Sequence, residues 1–173
     1  MVKSVLNSQT KDPAVLKEAM EEYQKKARDN ARTPMQWENS LHAGFTSAKS
    51  QPWMSANPNF TEVNAESQMN DPESPFTYWK SMLEMRKKYK ETVVYGSFEM
   101  VDETNEKVIA YTRQSGSRDK MLFLCNFSPD KVEWNNGQVS PKEIVLSTYS
   151  RSLKDVGGDA ISLDAYEAIA LLV

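Results

Sequence analysis

The sequence predicts an α+β chain in which two helices and a long loop precede an antiparallel β-sandwich. Three observations carry this. Apolar residues three and four apart mark two segments, 13–27 and about 75–90. Between them, Arg28 to Asp71 has irregular spacing and is rich in Asn, Pro, Ser and Trp. After Glu91 the chain becomes a series of short alternating runs divided by polar turns.

The first helix has its start written into Asp12-Pro13, an acidic N-cap followed by proline at the first helical position. Val15, Leu16, Ala19, Met20 and Tyr23 form its apolar stripe. The stretch that follows is read as one long excursion with a short helical turn, and a loop of that length in a compact domain usually carries function. Ser74-Pro75 opens the second helix, Phe76, Trp79, Met82, Leu83 and Arg86 mark one face, and Arg86-Lys87-Lys88 suits its C-terminus. Strand runs are read at 93–101, 107–113, 121–127, 131–134, 143–148 and 165–173, with turns such as Asp102-Glu103-Thr104-Asn105 between them. Six to eight strands at this spacing argue for a sandwich, which puts a domain boundary between 1–91 and 92–173.

Composition excludes several classes. With 173 residues the chain is too short for an eight-stranded barrel, which needs roughly 250 residues. Net charge is −3 with both signs interspersed, so nothing offers the basic stripe that nucleic acid requires, and no nucleic-acid partner is expected. Cys125 stands alone in the apolar run 121–127 and reads as a small buried hydrophobe. One histidine and one cysteine far apart give no metal site, so neither metal nor cofactor is expected. No run approaches the ~20 apolar residues of a membrane span, and the start lacks a signal-peptide core. The expectation is a soluble, cytoplasmic protein without a membrane partner, in which the sequons Asn59-Phe60-Thr61 and Asn126-Phe127-Ser128 are chance matches.

The most informative stretch is Arg28-Asp29-Asn30-Ala31-Arg32-Thr33-Pro34-Met35-Gln36-Trp37, followed by His42-Ala43-Gly44-Phe45-Thr46 and then Lys49 to Trp53. It resembles the segment near the end of the catalytic barrel in alpha-glucosidases of the alpha-amylase superfamily, the maltases and oligo-1,6-glucosidases. The resemblance implies that residues 1–91 are the C-terminal end of a (β/α)8 barrel and that the sandwich is the domain placed after it. It also implies a parent activity, retaining hydrolysis of terminal alpha-linked glucose from maltose- or isomaltose-like oligosaccharides.

In that family the motif's first arginine, here Arg28, reaches into the pocket and binds the glucose unit at the non-reducing end. Five fixed guanidinium donors suit a role bridging sugar hydroxyls and a carboxylate. The alternative is that Arg28 pairs locally with Asp29 or another loop carboxylate. Asp29 and Arg32 read as scaffold, and Trp37, Phe45 and Trp53 as rings packing the loop down. His42 departs from the family's usual asparagine, which weakens any role for it.

Retaining glycosidases need a nucleophilic carboxylate and an acid/base carboxylate about 5 to 5.5 Å apart. The family carries them upstream of the region matched here, so no catalytic residue is assigned to this chain and inactivity alone is expected. Competing readings are half of a split enzyme or a non-catalytic amylase-like interaction module. A free-standing carbohydrate-binding sandwich is weak, since Trp134 is the only tryptophan among the strands.

Overall fold

A computed structural model describes residues 12–173 apart from 48, 117, 118, 136 and 138. The N-terminal residues read for a targeting segment lie outside the described ones. Two compact units divide the chain, Met1–Pro72 and Glu73–Val173.

In the first unit, helix α1 spans Pro13–Lys26. Asp12 caps it, its Oδ1 accepting from the Ala14 amide at 2.9 Å. Ala27 ends it in an extended conformation that turns the chain into the motif. Val15 and Tyr23 remain about half exposed, 48% and 51%, whereas Leu16, Ala19 and Met20 are half-buried, so the stripe read from the sequence is only partly covered. The long excursion contains the expected short helix, α2 (Ala65–Met69), whose N-cap Asn64 accepts from the Ser67 amide at 2.8 Å. Hydrogen bonds hold it in place of an apolar core. The carbonyls of Gln36 and Trp37 accept from the amides of Ala65 and Glu66, each at 2.9 Å. The Gln36 Nε2 donates to Asn59 Oδ1 at 3.1 Å.

The second unit opens with α3 (Pro75–Lys88), capped by buried Ser74, and a further turn, α4 (Lys90–Val93). The strand run expected from residue 93 therefore begins as helix, and β1 starts only at Ser97. The strands are β1 (Ser97–Met100), β2 (Val108–Gln114), β3 (Lys120–Asn126), β4 (Val132–Asn135), β5 (Glu143–Ser147), β6 (Ala160–Leu163) and β7 (Ala168–Leu172). They form a five-stranded antiparallel sheet ordered β1-β2-β3-β7-β5 and a two-stranded antiparallel sheet of β4 and β6. Strand β6 was absent from the sequence expectation. It is four residues long, lies between Gly157-Gly158-Asp159 and the next turn, and gains its partner only by pairing with β4.

Alternation sorts the side chains. Val108 and Ala110 of β2, Leu122 and Leu124 of β3, and Ile169 and Leu171 of β7 meet Trp134, Ile161 and Leu163 of the small sheet in the main core. From the opposite face of the large sheet, Met121, Phe123 and Ala170 meet Met85, Tyr89 and Val93 of the helices. Strand β3 is thus covered on both faces, which explains why 121–125 is a continuous apolar run rather than an alternating one. Tyr111 stacks on Phe123 with centroids 4.8 Å apart on the helix side.

The helix expected to close the barrel remnant belongs by packing to the second unit. Cys125 is half-buried rather than fully buried, and desolvation pushes its thiol above the ordinary range. We expect a thiol-reactive probe at pH 8 to label the folded chain several-fold more slowly than the urea-unfolded chain, where the thiolate is more abundant. Equal rates would show the thiol to be open and unshifted. Asn126, the acceptor residue of one sequon, is 3% exposed and donates to the carbonyls of Asp130 and Asp164 at 2.8 Å each, so the folded chain has no room for a glycan there.

Beside Asn126 lies an ion pair not anticipated from the sequence. Glu167 is fully buried at the start of the last strand, and Arg151 grips it with two donors, Nε to Oε1 at 2.7 Å and Nη2 to Oε2. The same Nη2 reaches the Ser162 carbonyl at 3.0 Å, and the Asp164 amide donates to Glu167 Oε2 at 2.7 Å. The Glu167 carboxylate holds the Arg151 guanidinium above its ordinary value. A glutamate two residues before the apolar run Ile169-Ala170-Leu171-Leu172 was the available signal for a buried charge.

Candidate functional site

The motif leaves α1 through a 3-10 turn, Arg28–Ala31, closed by the Arg32 amide donating to the Asp29 carbonyl at 3.0 Å. Arg28 is exposed on this turn. Among the described residues it makes no ion pair or side-chain hydrogen bond. Asp29 is taken instead by Arg32, with Nη1 3.7 Å from Oδ1, a solvent-exposed pair of small energetic weight. The guanidinium of Arg28 is therefore available to an external ligand, whereas Asp29 and Arg32 brace the turn. Trp37, Phe45 and Trp53 are 53%, 50% and 85% exposed. Among the described residues none of these three rings is buried.

Beyond Pro34, which is buried, the chain doubles back through Leu41–Gly44. His42, Ala43 and Gly44 all have left-handed backbones, with φ of 55°, 55° and 66°. Hydrogen bonds impose this. The fully buried Ala43 donates its amide to the Ser40 carbonyl at 2.8 Å, and its own carbonyl accepts from the amides of Trp37 and Glu38 at 2.8 and 3.3 Å. A Cβ on Gly44 would stand 2.4 Å from Glu38 Cγ, so glycine is required there by both space and φ.

Histidine at 42 carries part of the roughly 1–2 kcal/mol that a left-handed backbone costs an ordinary residue, and asparagine carries less. His42→Asn is therefore expected to raise stability by up to about 1 kcal/mol, and Gly44→Ala to lower it by about 1–2 kcal/mol, both read as urea midpoints at constant slope. A drop for His42→Asn would mean that the imidazole is holding the turn.

Among the described residues no group of three or more His, Cys, Asp or Glu side chains is placed to hold a metal ion. No helix among them is long and apolar enough to cross a membrane.

Residues 1–96 match the family model of the alpha amylase catalytic domain. The chain belongs to the alpha-amylase family. Residues 98–169 of this alpha-amylase family chain match the maltogenic amylase C-terminal domain. It is similar to an alpha-glucosidase of Schizosaccharomyces pombe, 40% identical over 157 residues that make up 90% of this chain and 27% of that protein. It is also similar to an oligo-1,6-glucosidase of Bacillus cereus, 37% identical over 145 residues, or 83% of this chain and 25% of that protein. Among solved structures, the trehalulose synthase MutB of Pseudomonas mesoacidophila superposes with a TM-score of 0.73 at 29% identity, covering 84% of this chain and 26% of that one. The chain thus spans about a quarter of the length of the curated relatives it matches. The alpha-amylase family fold, with an antiparallel C-terminal domain after helix-bearing catalytic-domain sequence, agrees with the fold class read from the residues.

Proposed function

We propose that the chain is the C-terminal portion of a retaining alpha-glucosidase that removes terminal alpha-linked glucose from maltose- or isomaltose-like oligosaccharides. In this reading Arg28 binds the terminal glucose, residues 1–91 are the end of the catalytic barrel, and residues 92–173 are the closing sandwich. One observation carries the reading: the motif places an exposed guanidinium, without a protein partner among the described residues, on a braced turn inside the part that matches the catalytic domain. The alpha-glucosidase and oligo-1,6-glucosidase relatives and the adjoining matches at 1–96 and 98–169 support it.

The reading assigns nucleophile and acid/base to barrel strands that this sequence does not contain, leaving the chain alone with nothing to protonate the leaving group or trap the sugar. Cytoplasmic location belongs to the same proposal. The purified chain is expected to release no glucose from maltose, isomaltose or a nitrophenyl alpha-glucoside. Joined to the upstream barrel of an alpha-glucosidase relative, it is expected to support turnover. Turnover by the isolated chain that survives contamination controls would defeat the assignment. Activity restored by mixing the two pieces would select the split-enzyme form.

A further inference from the structure

Within the first unit, the loops 39–42 and 51–60 enclose a cleft of about 420 Å³. Asn39, Ser40, His42, Gln51 and Ser55 supply its polar lining, Leu41 and Phe60 contribute carbon surface, and no Asp, Glu, Lys or Arg lines it. Elsewhere in this unit amide side chains serve the fold. Gln36 donates to Asn59 and to the Val63 carbonyl, Asn64 caps α2, and Asn70 donates to the Glu66 carbonyl. By contrast, among the described residues the side chains of Asn39, His42, Gln51 and Ser55 make no hydrogen bond to protein. The left-handed turn at 42–44 fixes His42 at the cleft despite its conformational cost, and backbone outliers of this kind gather at binding sites.

We propose that this cleft binds one uncharged pyranose unit of an oligosaccharide. A sugar ring presents hydroxyls that both donate and accept, which amides, hydroxyls and an imidazole can match. Its C–H face needs carbon such as that of Leu41 and Phe60. The absence of charge in the lining disfavours anions and cations. Convergent neutral polar groups on a partly apolar concavity of this size are the general signature of a small-ligand site. The choice of an alpha-glucosidic sugar rests on the alpha-glucosidase reading. The site itself does not include Arg28, and hydrogen bonds from Gln36 to Asn59 and Val63 tie the motif to the segment that carries Phe60.

The test is titration of the ¹⁵N-labelled full chain with isomaltotriose, maltotriose and, as a non-sugar polyol, glycerol, following the side-chain amide signals of Asn39 and Gln51. Saturable shifts with a millimolar Kd are expected for the sugars and none for glycerol. Asn39→Ala and Gln51→Ala are each expected to weaken binding about five-fold, the loss of one neutral hydrogen bond, with an unchanged backbone spectrum. Absence of saturation well above the millimolar range, equal shifts with glycerol, or affinity indifferent to both amide variants would overturn the site. If saturation fails while the barrel-completed enzyme still depends on Arg28, the cleft alone is wrong. If the sugars bind here and the completed enzyme is inactive, the alpha-glucosidase reading is wrong and the cleft stands.

Discussion

Replacing Arg151 with methionine is expected to cost about 3–5 kcal/mol of folding stability, because it strands a buried carboxylate. Glu167 has no exposed surface, and the Arg151 side chain that neutralises it is 13% exposed. With the guanidinium gone, among the described residues only the Asp164 amide would still donate to the carboxylate. A loss of this size is a large share of the 5–15 kcal/mol that holds an ordinary domain together. The double variant Arg151→Met with Glu167→Gln should recover most of it, since the neutral amide keeps an acceptor for the Asp164 amide and leaves no charge buried. Urea unfolding of the three proteins measures both steps. A single variant within about 0.5 kcal/mol of the parent would show that water or another cation takes over from Arg151.

In the barrel-completed enzyme, Arg28→Lys is expected to lower kcat/KM roughly 30- to 1000-fold, equivalent to about 2–4 kcal/mol of transition-state stabilisation. Lysine keeps the charge but loses the planar fork that can bridge a sugar hydroxyl and a carboxylate at once. Stability should hardly move, because Arg28 is exposed and has no ion pair among the described residues to lose. Kinetics beside thermal midpoints separate the two effects. Full activity in Arg28→Lys would turn the motif's first arginine into scaffold.

Much of this fold was legible because local signals and packing agree. Asp12-Pro13 and Ser74-Pro75 cap and start the helices where the sequence puts them. Alternation found the strands of the large sheet, and the unbroken apolar run of β3 marks the strand covered twice. What stayed hidden depends on distant partners. Strand β6 is too short to show a period and exists through β4. Val93, which with Val94 and Tyr95 is apolar enough to pass as the start of a strand, instead closes α4 and packs on the sheet. The Arg151–Glu167 pair joins residues sixteen apart, and no sequence spacing encodes such a meeting. Of the candidate site, the motif announced Arg28, but the left-handed turn at His42 and the unused amides around it emerge only from hydrogen bonds made across the loop.

Helix α3 has two apolar faces with different loyalties. Met85 and Tyr89 lean on Met121, Phe123 and Ala170, while Phe76, Trp79 and Leu83 look outward and are 43%, 59% and 48% exposed. For anyone exchanging C-terminal domains between relatives, α3 therefore has to travel with the sheet on which Met85 and Tyr89 pack. A graft beginning at residue 92 would arrive with the underside of its sheet bare, and a donor helix with other residues at 85 and 89 would have to fit a surface it did not evolve against. Inheritance should treat the helix and the sheet as a single cassette, drifting together at those positions.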